Sequence, residues 1–258
     1  MGHPTTKKYV VNFSGGKDST AMLFMMLEKG WPVDRVIHAD TGKEFPAMYS
    51  HINQVNDRIK KHGLCVESVS VDFDYWFSEH LKTKGKHKGE PGYGWPGPRT
   101  RWCTSLKVEA INLTAQNIKY IPRKWHGAKN SFDFVSYVGF AFDEINRAAK
   151  SKNRLSFPLI EWGVSEKQAL QYCYDLGFTW DGLYKHFHRV SCFCCPLKSL
   201  KELKAIYLHY PALWDEMINM EKKVGKQFTY RHRLADLEHR FLIEQAKSGK
   251  APLLPFAA

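Results

Sequence analysis

Tyr9-Val10-Val11-Asn12-Phe13-Ser14-Gly15-Gly16-Lys17-Asp18-Ser19, continuing through Thr20-Ala21-Met22-Leu23-Phe24-Met25-Met26-Leu27-Glu28, is the stretch on which the fold turns. Its first five residues are mostly β-branched or aromatic, as a strand requires, and Ser19 to Glu28 is an apolar helical run. Between them lies a glycine turn. Strand, turn and helix in this order put backbone N–H groups at a helix N-terminus, where the dipole favours a bound phosphate. Glycine at 15 and 16 lets the chain approach the anion closely. Lys17 is suited to neutralising charge on leaving phosphates, Ser14 and Ser19 to donating to phosphate oxygens, and Asp18 to capping the helix or holding Mg²⁺. The competing reading is a Gly-Gly turn with an ordinary Asp or Ser cap, which leaves the flanking strand and helix a coincidence.

Outward from this unit, Val33 to Ala39 reads as a second strand, Pro46 to His62 as a second helix and Cys65 to Phe73 as a third, alternating strand. The β-α-β-α-β order predicts a parallel, right-handed, doubly wound sheet. Lys82 to Arg101 (KTKGKHKGEPGYGWPGPRTR) is too rich in turn formers and charge for a regular element and reads as a mobile basic loop. Helical spacing resumes after Trp102, and Phe134 to Phe140 reads as another buried strand. After Ser165 the pattern is helical through Leu176, then over Leu197 to Tyr210, Pro211 to Val224 and Tyr230 to Ala246. The expected organisation is an α/β nucleotide-binding domain over 1–165 and a helical C-terminal region over 166–258.

With 258 residues and 43% hydrophobic content, the chain can bury one substantial α/β core. No run approaches the roughly 18 apolar residues of a membrane span, and the opening MGHPTTKK lacks the apolar middle of a signal peptide. A cytoplasmic protein without a membrane partner is expected. The net charge of +12 favours a polyanionic partner or a phosphorylated ligand. An oligomer is compatible with the sequence.

The hexapeptide 14–19 resembles the SGGxDS signature of the PP-loop, or adenine nucleotide α-hydrolase-like, superfamily, and not the Walker A pattern. That resemblance implies a Rossmann-like fold of the HUP type, ATP held by its pyrophosphate, and chemistry at the α-phosphorus that yields an adenylated acceptor. His38-Ala39-Asp40-Thr41-Gly42-Lys43-Glu44-Phe45-Pro46 is similar to the DTGxEFPE segment of the phosphoadenosine phosphosulfate (PAPS) reductase-like branch. It lies at the carboxyl edge of a parallel strand, so backbone near Asp40 is expected to meet adenine or ribose, the alternative being that Asp40 and Gly42 only shape a turn. Gly139-Phe140-Ala141-Phe142-Asp143-Glu144-Ile145-Asn146-Arg147 resembles a divergent GIRxxES-x-R segment, without the arginine two residues after Gly139. Phe157-Pro158-Leu159-Ile160-Glu161-Trp162 is similar to the P-L-x-x-W segment.

Ser191-Cys192-Phe193-Cys194-Cys195-Pro196 places three thiols within four residues, and Cys103 follows the basic loop. A soft four-thiolate set, Cys103, Cys192, Cys194 and Cys195, fits Zn²⁺ or an iron–sulfur cluster; a redox Cys-x-x-Cys pair and buried thiols are the alternatives. The choice of a 4Fe-4S cluster over zinc rests on resemblance, because W-C-T-x-L-K and C-x-C-C-P are similar to segments of proteins of the DNA phosphorothioation branch. Whether Cys194 is a ligand stays open. Cys65 and Cys173 read as core. His186, His188 and Arg189, just before the cysteines, read as a solvated connector, or as residues that contact a phosphate or orient a cluster ligand. The aromatics Tyr93, Trp95 and Trp102, interleaved with Lys and Arg, suit base stacking or a lid.

The resemblance implies an ATP-dependent sulfurtransferase with Lys17 and Asp18 in the chemistry and a sulfur donor protein, while the charge and aromatics of Lys82 to Arg101 and the overall +12 predict a polyanionic acceptor such as tRNA or DNA bound by that segment. A PAPS or adenylylsulfate reductase is the second reading. Those reductases are expected to carry their reactive cysteine in an E-C-G-like tail, and this chain has no cysteine after Cys195. A non-catalytic nucleotide-binding module with a structural metal is the third.

Overall fold

The computed structural model describes residues 8–126, 134–150 and 155–247; the opening segment and the closing Leu253 to Ala258 lie outside them. Five strands, β1 (Lys8–Asn12), β2 (Arg35–Asp40), β3 (Val66–Ser70), β4 (Phe134–Val138) and β5 (Leu155–Ser156), form one sheet in the order β3-β2-β1-β4-β5. Every pairing is parallel, as the β-α-β succession predicts. The α-helices among the described residues are α1 (Lys17–Glu28), α2 (Pro46–Ile59), α3 (Phe73–Ser78), α4 (Trp102–Ala115), α5 (Ile145–Ala148), α6 (Pro158–Glu161), α7 (Glu166–Asp175), α8 (Leu200–His209), α9 (Pro211–Val224) and α10 (Leu234–Lys247), with short 3-10 turns over Lys60–His62, Phe142–Glu144 and Trp180–Lys185.

The chain gathers into two units, Met1–Val71 with Ser105–Leu183, and Asp72–Thr104 with Tyr184–Ala258. They do not follow the expected division at 165. Helix α7 packs on α1 and so belongs with the sheet, whereas the segment from Asp72 to Thr104 joins the C-terminal helices.

In the first unit, the sheet is covered by helices on both faces, which is why β1 and β2 read as nearly continuous apolar runs. Val10, Val11, Val36 and Ile37 are fully buried, as are Ala21, Met22, Leu23 and Met26 of α1. Burying each of these larger side chains contributes roughly 1.5–3 kcal/mol. Helix α2 opens on Pro46 at its first position, and α7 opens on a capping box in which Ser165 and Gln168 satisfy each other's backbone N–H.

The second unit packs aromatic side chains: Trp76, Phe77, Trp214, Phe228 and Phe241 are buried. The third strand stops at Ser70 instead of Phe73, because Asp72 caps α3 by accepting from the Tyr75 N–H at 3.1 Å. The segment from Lys82 to Arg101 forms no helix or multi-residue strand, as its composition implies, yet it is anchored. Tyr93 and Gly94 donate their N–H groups to the Trp76 and Phe77 carbonyls, each at 2.9 Å, and the Trp102 indole donates to the Gly94 carbonyl at 3.1 Å. Gly92 has φ +61°, and a Cβ there would stand 2.2 Å from the Phe77 carbonyl oxygen. Among the described residues no helix is long and apolar enough to cross a membrane.

Candidate functional site

Strand β1 is central: β2 and β3 lie to one side and β4 and β5 to the other, so the strand order reverses there. Ligands of open α/β sheets bind at the carboxyl ends of the strands flanking such a switch point. The loop Ser14 to Ser19 occupies that position, Asp40 ends β2 beside it and Gly139 follows β4.

The loop is shaped from several directions. Gly15 takes φ +77°, a left-handed conformation that favours glycine, and a Cβ there would meet Ile52 and Met48 of α2 at 3.1 Å. Gly16, the N-cap of α1, brings no side chain to the first-turn N–H groups. The Ser14 and Ser19 hydroxyls lie 3.0 Å apart, and Ser19 donates to the Gly16 carbonyl at 3.0 Å. At Gly139 a Cβ would stand 2.8 Å from the Cα and N of Ser19, so only glycine lets the end of β4 press against the first turn of α1.

Lys17 lies between two carboxylates. Its side chain is only 5% exposed, and its Nζ lies 2.9 Å from Asp18 Oδ2 and 2.8 Å from Glu166 Oε2. Helix α7 brings that glutamate in from 149 residues away, with Asp143 accepting from the Glu166 N–H at 2.7 Å. Burial raises the Asp18 carboxyl above its usual range despite the Lys17 ammonium. Asp18 Oδ1 is buried with no hydrogen-bond partner among the described residues, and Asn12 Oδ1, Ser136 Oγ and His38 Nε2, on β1, β4 and β2, are in the same condition. Buried polar atoms normally find partners, so Asp18 Oδ1, next to the loop, suits a polar ligand.

Behind the loop, the Trp180 indole donates to the Gly15 carbonyl at 2.9 Å, and its ring lies against His51 with centroids 4.2 Å apart. His51 Nε2 meets Thr20 Oγ1 at 2.9 Å. Trp180 and Asp181 hold φ of +48° and +49°, and a bulky side chain there signals backbone strain held by its surroundings. Trp180, His51, Thr20 and Glu166 carried no signal in the sequence. Cys173, expected in the core, donates to the Lys17 carbonyl at 3.4 Å, and burial pushes its thiol up.

His51 gives the fold a pH dependence. Burial first, then the charge of Arg58, lowers its pKa from the ordinary 6.5 to about 3. The folded state therefore holds the ring neutral. That preference stabilises the fold fully above pH 6.5 and is lost as pH falls from 6.5 towards 3, by up to about 1.4 kcal/mol per pH unit. Urea-unfolding free energies of wild type and His51→Phe over pH 4 to 7 should show a slope shallower by about one proton in the variant. Parallel slopes would refute this origin.

Asp40 is engaged in its turn: Oδ1 accepts from the Gly42 N–H at 2.8 Å and the Tyr49 hydroxyl at 2.9 Å. The neighbouring Glu44 is buried and paired with Lys107 at 2.8 Å.

The four cysteines singled out by their spacing all lie in the second unit. The Cys195 N–H donates to the Cys192 carbonyl at 3.2 Å, so the Cys-x-x-Cys pair spans a turn; Cys194 is buried, and Cys103, Cys192 and Cys195 are half-buried. Among the described residues no group of three or more His, Cys, Asp or Glu is assembled for a metal ion. The donor set itself suits a thiophilic metal. His186 stacks on His209 at 4.1 Å.

Residues 8–198 match the phosphoadenosine phosphosulfate reductase domain. Two uncharacterized proteins of Methanocaldococcus jannaschii, MJ0066 and MJ0973, are each 27% identical to the chain, over 89% and 85% of it. The chain spans about half the length of these curated relatives, 44% and 49%. Among solved structures, the U34-tRNA thiolase NcsA from Methanococcus maripaludis, with its 4Fe-4S cluster, aligns with a TM-score of 0.44 at 15% identity, covering 85% of this chain and 72% of that one. NMN synthetase from Francisella tularensis aligns with a TM-score of 0.40 at 12% identity, covering 98% and 91%.

Proposed function

Because the chain belongs to the phosphoadenosine phosphosulfate reductase domain family, we propose that it is an enzyme that binds ATP at the Ser14 to Ser19 loop and cleaves it between the α- and β-phosphates. An acceptor oxygen attacks the α-phosphorus and pyrophosphate leaves; a sulfur nucleophile then displaces AMP, which carries that oxygen away. The observation that supports this most is the buried, unpartnered Asp18 Oδ1 beside a loop whose shape only glycine permits at 15 and 139.

The residues divide the work. Gly15 and Gly16 admit the phosphates to the N–H groups opening α1, and the Ser14 and Ser19 hydroxyls donate to phosphate oxygens. Lys17 holds Asp18 through Oδ2 and adds fixed positive charge at the helix terminus, leaving Oδ1 for Mg²⁺. Mg²⁺, when bound, neutralises charge on the triphosphate. Backbone around Asp40 and Gly42, set by the Asp40 turn, faces adenine or ribose.

The cysteine segment completes the proposal. Cys103, Cys192 and Cys195, with Cys194 as a further candidate, would hold a 4Fe-4S cluster, or alternatively Zn²⁺. Such a cluster would supply iron to carry the sulfide that is transferred. Protein purified anaerobically should be brown and contain iron, and Cys192→Ser should lose most of it. Colourless protein holding neither iron nor zinc, or unchanged metal in the variant, would remove the cysteines from the mechanism.

The family description itself favours a second reading, reduction of PAPS. Retention of Lys17 and Asp18 weighs for ATP, since a triphosphate with its metal ion uses them, whereas a sulfated adenylate has no β,γ-pyrophosphate to hold.

A further inference from the structure

The excess positive charge is concentrated in the second unit, which carries 19 Lys and Arg against 11 Asp and Glu, a net +8 of the chain's +12. Two stretches far apart in sequence meet there. The Trp95 indole donates to the Lys226 carbonyl at 3.1 Å across 131 residues, and the Trp95 ring packs edge-on against Phe228 at 4.8 Å. Lys82 and Lys226 lie 3.2 and 4.0 Å from Glu90 Oε2, while His87 takes Oε1 at 2.8 Å. One carboxylate thus serves two ammonium groups and an imidazole. Burial, and then Lys82, hold the Lys226 ammonium below its ordinary pKa, so an added anion would relieve it.

The segment after α9 is built as a fixed turn. The Glu221 carboxylate accepts from the backbone N–H groups of Phe228 at 2.6 Å and Leu234 at 3.1 Å, and Thr229 Oγ1 accepts from the N–H groups of Arg231 and His232 at 3.3 and 3.1 Å. At its tip Tyr230 is 84% exposed, more than any other large hydrophobic residue described, with the Arg231 guanidinium 4.8 Å from its ring centroid. An aromatic ring held open to solvent on a hydrogen-bonded turn, with Lys222, Lys223, Lys226 and Arg233 close to it in sequence, offers a base a stacking partner. A site for phosphate charge alone has no use for it.

We propose that the segments 82–101 and 222–233 form one composite surface for single-stranded nucleic acid, with the phosphates on Lys82 and Lys226 and an unpaired base stacked on Tyr230. This rests on the nucleic-acid acceptor expected from the sequence and is independent of where ATP is cleaved. The test is fluorescence anisotropy of intact protein with a labelled single-stranded RNA, with duplex RNA and heparin as competitors. Tyr230→Ala, at an exposed position, leaves the fold unchanged by circular dichroism. It should weaken single-strand binding about tenfold at unchanged salt dependence, while Lys226→Ala should lower the log–log salt slope by about 0.7. Tyr230→Phe should restore affinity. If Tyr230→Ala binds like wild type, or heparin and duplex compete as well as the single strand, the stacking surface is wrong. If no nucleic acid binds at low ionic strength, the nucleic-acid acceptor falls with it, and release of pyrophosphate from ATP still decides the enzymatic reading separately.

Discussion

Lys17→Met should destabilise the protein by about 3–5 kcal/mol at neutral pH, because it strips the cation from between two largely buried carboxylates. Asp18 and Glu166 are 19% and 12% exposed and both lie within 3 Å of the lysine nitrogen, so neither escapes to solvent when it goes. The loss has a defined pH dependence. Asp18 is already raised above its usual range by burial, with Lys17 the main opposing influence, so removing the lysine raises it further. A carboxyl whose folded pKa lies above its unfolded value is stabilised by protonation, and the variant should recover stability as pH falls. Replacing Glu166 with Gln in the same chain should return part of the loss, an interaction of at least about 1 kcal/mol in a double-mutant cycle. Thermal melts are the measurement, at about 2–4 °C per kcal/mol for a domain of this size. A Lys17→Met protein within 0.5 kcal/mol of wild type would show that the buried ion pairs do not hold the loop.

Trp180→Ala should cost about 3–5 kcal/mol, the usual penalty for truncating a fully packed aromatic. The milder Trp180→Phe separates packing from positioning. It keeps a ring against His51 but removes the N–H that binds the Gly15 carbonyl, which should cost about 0.5–1.5 kcal/mol of stability. Its effect on ATP affinity should exceed its effect on unfolding, because the lost hydrogen bond fixes Gly15, the residue proposed to admit the phosphates. Equal ATP affinity in wild type and Trp180→Phe would make Trp180 a packing residue only.

These residues also mark where sequence reading stops. The strand, glycine turn and helix around Ser14 to Ser19 announce themselves locally, through β-branched residues, adjacent glycines and an apolar helical run. From them the parallel sheet follows. The partners that hold the loop do not: Glu166 and Trp180 lie 149 and 165 residues from the residues they bind, and no periodicity connects such positions. Phe73–Ser78 was not legible, since FDYWFS has no alternation or helical stripe to separate it from the strand before. The two-residue β5 is too short to carry a pattern. The second unit escaped because it is assembled from two stretches whose common feature, aromatic packing, shows only when they meet.

Cleavage of ATP at its α-phosphate is distinguished from reduction of PAPS by the products each reaction leaves. Metal-replete, anaerobic protein is incubated with ATP labelled at the α-phosphate in the presence of single-stranded RNA or DNA, and in parallel with PAPS and thioredoxin; Asp18→Asn serves as control. Labelled AMP or an AMP–acceptor adduct is expected, with pyrophosphate released in step, and loss of both in the variant. Sulfite from PAPS with ATP left intact, or ADP and orthophosphate as the products, would contradict it.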